Sequence, residues 1–250
     1  VTIACEKRLM PLVARSFPGA RIIAHFSGTA RGRNVRALSP SGEWDEIDVW
    51  APMGDVTKAF RKSVSDFPVS PGFFRADPAR VAALRAQLAA APGLKVGILW
   101  KSLVMTPKRQ RYFAPFEAWA PVLTAPGASI YTLQYGDTAA EEKFARETLG
   151  IELKRIEGLD LKDDLDGVAA AGQALDLMIG PLNATTNIAA AAGGDVWFVH
   201  RYGSWTMHGT DAIPYYPQTR AWCAPDGEWR ALFETMARDL KARASRENAA

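Results

Sequence analysis

Residues 160–194 read DLKDDLDGVAAAGQALDLMIGPLNATTNIAAAAGG, and this stretch decides the fold class. An acidic turn over 160–166 leads into a helix pattern of small residues. The apolar run 175–179 is of strand type, and Gly180-Pro181 ends it. Asn183 can cap a second helix over 184–192, which stops at Gly193-Gly194. Acidic loop, helix, strand, polar turn and helix form one unit of a parallel α/β sheet. In such sheets ligands lie outside the carboxyl ends of the strands. A helix that starts there turns unpaired N–H groups and its positive dipole end toward the ligand, a setting that suits phosphate. The turn Asn183-Ala184-Thr185-Thr186-Asn187 is therefore the first candidate site. Its ordinary reading is a well-capped helix with no ligand.

Outward from this unit the same alternation continues. Towards the C-terminus, 196–199 is a further strand and 229–244 an amphipathic terminal helix, with 245–250 expected to fray. That helix is expected to pack back across the N-terminal part. Towards the N-terminus, the pattern predicts strands at 95–100, 129–134 and 152–156, and helices at 116–123 and 139–149. Pro92-Gly93 marks the domain boundary, giving a first domain over 1–92 and a second over 93–250. Before the boundary, Asp77-Pro78 opens a helix running to residue 91, with Pro78 in its first turn. Residues 67–78 read as linker and 56–64 as a short helix. Further strands are expected at 1–4, 20–25 and 46–50, with a helix at 7–16. The Gly-, Arg- and Ser-rich stretch 28–41 reads as loop. The chain opens on Val1 inside a strand pattern, so the first domain is expected to be truncated at its N-terminus.

Composition narrows the function. Of 250 residues, 48% are hydrophobic, enough to fill proper cores, and the net charge of +3 is too small to argue for nucleic acid. No apolar run reaches about 18 residues, so no transmembrane helix is expected, and no signal peptide is visible. Cys5 and Cys223 are too few and too far apart for a disulfide framework or zinc site, so a cytoplasmic setting fits. With histidine only at 25, 200 and 208, a histidine-rich metal site is not expected.

Each strand end of the second half carries a polar cluster. Lys101, Ser102, Lys108, Arg109 and Arg111 follow the first strand, and Gln134, Tyr135, Gly136 and Asp137 the second. The Asn183 turn follows the next, and His200, Arg201, Tyr202 and Trp205 the last. In a doubly wound sheet all of these share one edge, and cations, aromatics and a helix N-terminus suit a nucleotide phosphate. Taken singly, each cluster is an ordinary solvated loop. Asp163 and Asp166 share a helix face and admit a metal reading, but acids in a first turn also complement the dipole. His200 and His208 titrate near neutrality and are candidates for acid–base work, though loop histidines are more often bystanders. Hydrolase-elbow, P-loop and dinucleotide glycine motifs are absent.

Six motifs in order carry a resemblance: VGILWK at 96–101, FEAWAPVL at 116–123, LQYG at 133–136, DDLDG at 163–167, NATTNIA at 183–189, and PYYP at 214–217 with Arg220. Together with RSFPG at 15–19 they resemble the catalytic region of bacterial glycosyltransferases that carry tetratricopeptide repeats. These are relatives of heptosyltransferases and, more distantly, of O-GlcNAc transferase. The resemblance implies a B-type glycosyltransferase fold, with two Rossmann-like domains facing across a cleft, acceptor on the first and nucleotide-sugar on the second. It implies metal-independent catalysis with no cofactor beyond a CMP-, UDP-, GDP- or ADP-sugar donor, and a protein acceptor such as flagellin. Carried over residue by residue, Asn183, Thr185, Thr186 and Asn187 contact donor phosphate or sugar, with Ser102 beside them. Lys101 and Arg109 neutralise the leaving phosphate. Gln134, Tyr135 and Gly136 meet base and ribose, and Asp163, Asp164 and Asp166 orient that loop or touch the ribose. Relatives often carry histidine where this chain has Asn187, and an acidic residue where it has Pro181-Leu182. Asn187 can hydrogen-bond but holds no charge. The resemblance places the general base in the first domain, where His25 is the weak candidate. Two further readings stay open: a lipopolysaccharide-type sugar transferase, and a non-catalytic nucleotide- or glycan-binding module.

Overall fold

The computed structural model describes residues 1–38 and 47–247. Its strands are β1 (Thr2–Cys5), β2 (Arg21–Ala24), β3 (Phe26–Ala30), β4 (Arg33–Ala37), β5 (Leu94–Ile98), β6 (Ala128–Thr132), β7 (Leu177–Pro181), β8 (Val196–His200) and β9 (Arg220–Cys223). Its α-helices are α1 (Met10–Ser16), α2 (Met53–Phe60), α3 (Pro78–Leu88), α4 (Pro107–Gln110), α5 (Ala120–Leu123), α6 (Ala139–Leu149), α7 (Leu165–Ala174), α8 (Ala184–Ala191) and α9 (Trp229–Glu247). The fold class is α/β, as the strand–helix alternation predicts.

Three sheets form. β1 and β2 pair in parallel, β3 and β4 make an antiparallel hairpin, and five parallel strands run in the order β6-β5-β7-β8-β9. In the large sheet the chain moves from β5 outward to β6, then returns to the other side of β5 for β7. The carboxyl ends of β5 and β7 therefore flank the topological switch point.

Alternation along the strands fills both faces of this sheet. Leu177 and Ile179 of β7, with Trp197 and Val199 of β8, join Trp119, Phe233, Met236 and Leu240 in one core. Met178, Val196 and Phe198 point the other way, against Ala171, Ala174, Ala189 and Ala190. The small residues of the 160–194 stretch thus have a reason: α7 and α8 pack backbone against backbone. A Cβ on Gly172 would stand 2.6 Å from the Ala189 Cβ, so only glycine fits there.

Several expectations are corrected. Of the stretch 28–41 read as loop, residues 28–30 and 33–37 lie in β3 and β4, whose residues are all exposed and so leave no burial pattern to read, and residues 39–41 lie outside the described residues. Of the strand expected over 46–50, residues 47–50 are not strand and residue 46 lies outside the described residues. The strand expected at 152–156 shrinks to one bridge, Lys154 to Tyr131. Strand β7 runs through Gly180-Pro181 rather than ending before it. Of the end expected to fray over 245–250, residues 245–247 continue helix α9, and residues 248–250 lie outside the described residues. Helix α9 packs on α5, β6 and the turn before α5, so it covers its own sheet rather than the N-terminal part.

Candidate functional site

A cleft of about 260 Å³ opens at the start of α8. Ala184, Thr185 and Asn187 of α8 line one side with Tyr135, which follows β6. Glu6, Arg8 and Leu9, which follow β1, line the cleft as well. Phe73, Phe74 and Tyr216 add aromatic wall, and Leu161, Lys162 and Leu165 close it near the start of α7. Residues just past the carboxyl ends of two parallel sheets thus meet at one cavity. Such ends are where open α/β sheets bind ligands.

Local sequence explains the α8 start. Asn183 has extended backbone, and its Oδ1 accepts from the Thr186 N–H at 3.2 Å. The Thr186 hydroxyl accepts from the Asn183 N–H at 3.2 Å and donates to the Pro181 carbonyl at 2.6 Å. Asn183 and Thr186 therefore hold the helix start in place. Thr186 is fully buried, so it cannot touch a donor as the resemblance implied. Thr185 and Asn187 do reach the cleft. The Asn187 amide donates to the Asn183 carbonyl at 2.7 Å, which fixes its orientation.

The loop after β5 is tied down differently. Gln134, 1% exposed, accepts at its Oε1 from the N–H groups of Trp100 and Lys101, at 3.1 and 3.0 Å. It knits the ends of β5 and β6 together, and this burial removes it from the base-reading role. The Lys101 ammonium pairs with Glu141, whose carboxylate also accepts from the Trp100 indole. Burial alone would raise the Glu141 pKa, but the hydrogen bond from Lys101 and its companions bring it below the usual range. Arg109 donates to the Ser102 hydroxyl at 3.0 Å. Lys101, Ser102, Arg109 and Gly136 lie on this neighbouring edge and do not line the cleft.

The acidic turn has a third fate. Arg15 of α1 grips Asp166 with two hydrogen bonds of 2.6 and 2.8 Å, and Asp166 is only 7% exposed. Asp164 caps α7 through the Gly167 N–H and pairs with Arg80 of α3. The hydrogen bond from Arg80 holds the Asp164 carboxyl below its ordinary pKa. Asp163 lies 3.5 Å from the Arg8 guanidinium. The three aspartates thus bind arginines of the preceding segment. Asp164 and Asp166 are engaged there rather than at a ribose. Among the described residues no group of three or more His, Cys, Asp or Glu could hold a metal ion.

Burial lowers the His200 pKa; its Nδ1–H donates to the Tyr202 carbonyl at 3.0 Å. His200, His208 and His25 do not line the cleft. Glu6 does, and sequence reading missed it, because one acid after a four-residue strand carries no spacing signal. Its carboxylate accepts from the Arg8 Nε at 2.6 Å. Tyr216, stacked between Phe73 and Phe198, has its phenol pushed up to about 12 by burial and stays protonated.

Comparison with known proteins adds two likenesses. The chain is 43% identical over 243 residues to Protein FlbA of Caulobacter vibrioides, covering 96% of this chain and 41% of that protein. It therefore spans about two fifths of the length of that curated relative. A solved glycosyl transferase family 9 structure from Veillonella parvula aligns over 69% of this chain and 47% of its own, with 13% identity and a TM-score of 0.47. No protein-family model matches. Among the described residues, no helix is long and apolar enough to cross a membrane.

Proposed function

We propose that this chain is the donor-binding part of a glycosyltransferase, moving a sugar from a nucleotide-sugar to a protein acceptor, flagellin being the acceptor class suggested by sequence resemblance. The observation that carries this reading is the cleft shared by residues past β1, β6 and β7, at the start of a capped helix. In the first turn of α8 the Thr186 N–H is capped by Asn183, and the N–H groups of Ala184 and Thr185 are those that suit the donor phosphate. Lys162 supplies a cation and Tyr135 an aromatic surface for base or ribose, while Arg8, paired to Glu6 and Asp163, lines the same cleft. Glu6, held by Arg8, is the carboxylate placed to accept the proton of the acceptor hydroxyl as its oxygen bonds to the sugar carbon. The sugar–phosphate bond breaks, its electron pair stays on the leaving phosphate, and α8 and the cations stabilise that charge. Arg109, one strand end away, extends the positive field, while Lys101 is paired to Glu141.

The same reading makes the reaction metal-independent, with charge stabilisation supplied by backbone and side chains. Thermal shift against a panel of nucleotides and nucleotide-sugars tests binding, since a ligand of the folded state alone raises its stability. A rise with at least one nucleotide-sugar, unchanged in EDTA, is expected. No rise with any of them contradicts donor binding, and a rise that EDTA removes and magnesium restores contradicts metal independence. Binding without transfer to any protein or saccharide acceptor would favour the non-catalytic module.

A further inference from the structure

Beside the cleft, the loops leaving β5 and β8 bring together Arg111, Tyr112, Arg201 and Tyr202, which the transfer reading does not use. The Arg111 guanidinium lies 4.9 Å from the centre of the Tyr112 ring, and that of Arg201 lies 5.2 Å from the centre of the Tyr202 ring. The two rings meet edge to face, with centroids 5.6 Å apart. The ladder is closed by Arg201 Nη1, which donates to the Arg111 carbonyl at 3.4 Å. Tyr112 and Tyr202 are exposed. No Asp or Glu occurs from residue 101 to 116 or from 196 to 210, whereas Lys108, Arg109, Arg111 and Arg201 all do. Among the described residues none of these four cations has a carboxylate partner within 4.0 Å. Asp226 and Glu228 flank Gly227, which sits against the Arg201 guanidinium, yet neither pairs with it. The contrast with Arg8, Arg15 and Arg80, each paired to an acid, is local and sharp.

We propose that the Arg111–Tyr112–Tyr202–Arg201 ladder docks an acidic segment of a partner polypeptide. Charge complementarity selects an anion. A guanidinium over each ring favours carboxylates over nucleobases: one face of each tyrosine is already covered, so stacking of bases is hindered. Arg111 Nη2 donates to the Tyr112 hydroxyl at 2.9 Å and Arg201 Nη1 to the Arg111 carbonyl, which fixes both guanidiniums; their remaining terminal N–H groups are the donors offered to carboxylates. Burying the ring side of each guanidinium also holds it in place, so less freedom is lost on binding. β7 lies between β5 and β8 in the sheet, so a segment held here runs beside the start of α8. The proposal concerns binding alone and stands whether or not sugar transfer occurs.

The test uses a fluorescent peptide of alternating Glu and Ala, a matched Gln-Ala peptide and a single-stranded oligonucleotide, with nucleotide affinity measured in parallel. Binding of the acidic peptide, weakening with salt, is expected, with the Gln-Ala peptide much weaker. Arg111→Glu and Arg201→Glu are each expected to lower acidic-peptide affinity about tenfold or more while leaving nucleotide affinity unchanged. Arg111→Lys, which keeps the charge but loses the fork, is expected to fall between. Arg111 is exposed, so its variants decide the matter if Arg201→Glu proves unstable. Failure of the acidic peptide to bind, or binding indifferent to Arg111→Glu, overturns the proposal. Tighter binding of the oligonucleotide overturns it in favour of a nucleic-acid surface.

Discussion

Two helices start within twenty residues of one another, and their starts do different things. Asp164 opens α7 and Asn183 opens α8, each accepting a hydrogen bond from a backbone N–H of the first turn. At α7 the acids face arginines from α1 and α3, and the start is closed off by protein. At α8 no charged side chain lies in the first turn, and Thr185 and Asn187 look into a cleft. Helix-start chemistry alone does not make a ligand site. What decides is whether another part of the chain already supplies the counter-charge.

The largest expected effect comes from breaking the closed start. Asp166→Ala removes a buried carboxylate from a two-point grip and leaves Arg15 only its longer pairing with Asp77 and the Arg75 carbonyl, which is expected to cost about 3 kcal/mol. Urea unfolding followed by circular dichroism measures it. Asn183→Ala removes only a cap and is expected to cost about 1 kcal/mol. If the two variants cost the same, the contrast between the starts fails.

Acid sharpens the comparison further. The Asp164 carboxyl is held below its ordinary pKa by the hydrogen bond from Arg80. In the unfolded chain it protonates near the usual value of about 3.9. Below that, the unfolded state binds the proton first, so stability is present above about pH 4 and is lost as pH falls through the lower folded pKa. Arg80→Gln is expected to flatten this acid limb. Asn183 carries no titrating group, so the Asn183→Ala curve is expected to run parallel to that of the unaltered protein. An unchanged acid limb in Arg80→Gln would show that the pair does not hold the α7 start.

Much of this was legible in the sequence where burial left a period. The apolar strands at 94–98, 128–132, 177–181 and 196–200 and the helix at 139–149 lie within a few residues of their expected bounds. Elements without a buried stripe were not legible: β3 and β4 are exposed throughout, and β9 buries only Trp222. The capped helix start at 183–187 was legible because capping chemistry is local. The pairing of Asp166 with Arg15, 151 residues apart, was not, because no local pattern encodes which distant helix arrives. Gln134 and Thr186 were assigned to ligand for the same reason. Their type and position suit a ligand, but the backbone groups that engage them belong to tertiary structure.

The central claim is that the open start of α8 binds the donor phosphate. Calorimetry with the nucleotide-sugar that shifts melting most, on Thr185→Val/Asn187→Ala and separately on Thr186→Val, tests it most directly. The double variant is expected to lose about tenfold in affinity, or about 1.4 kcal/mol, with its fold intact. Thr186→Val, which alters the buried cap, is expected to lose stability but to keep its affinity once folded. Unchanged affinity in the double variant would contradict the account and place the donor elsewhere on the sheet edge.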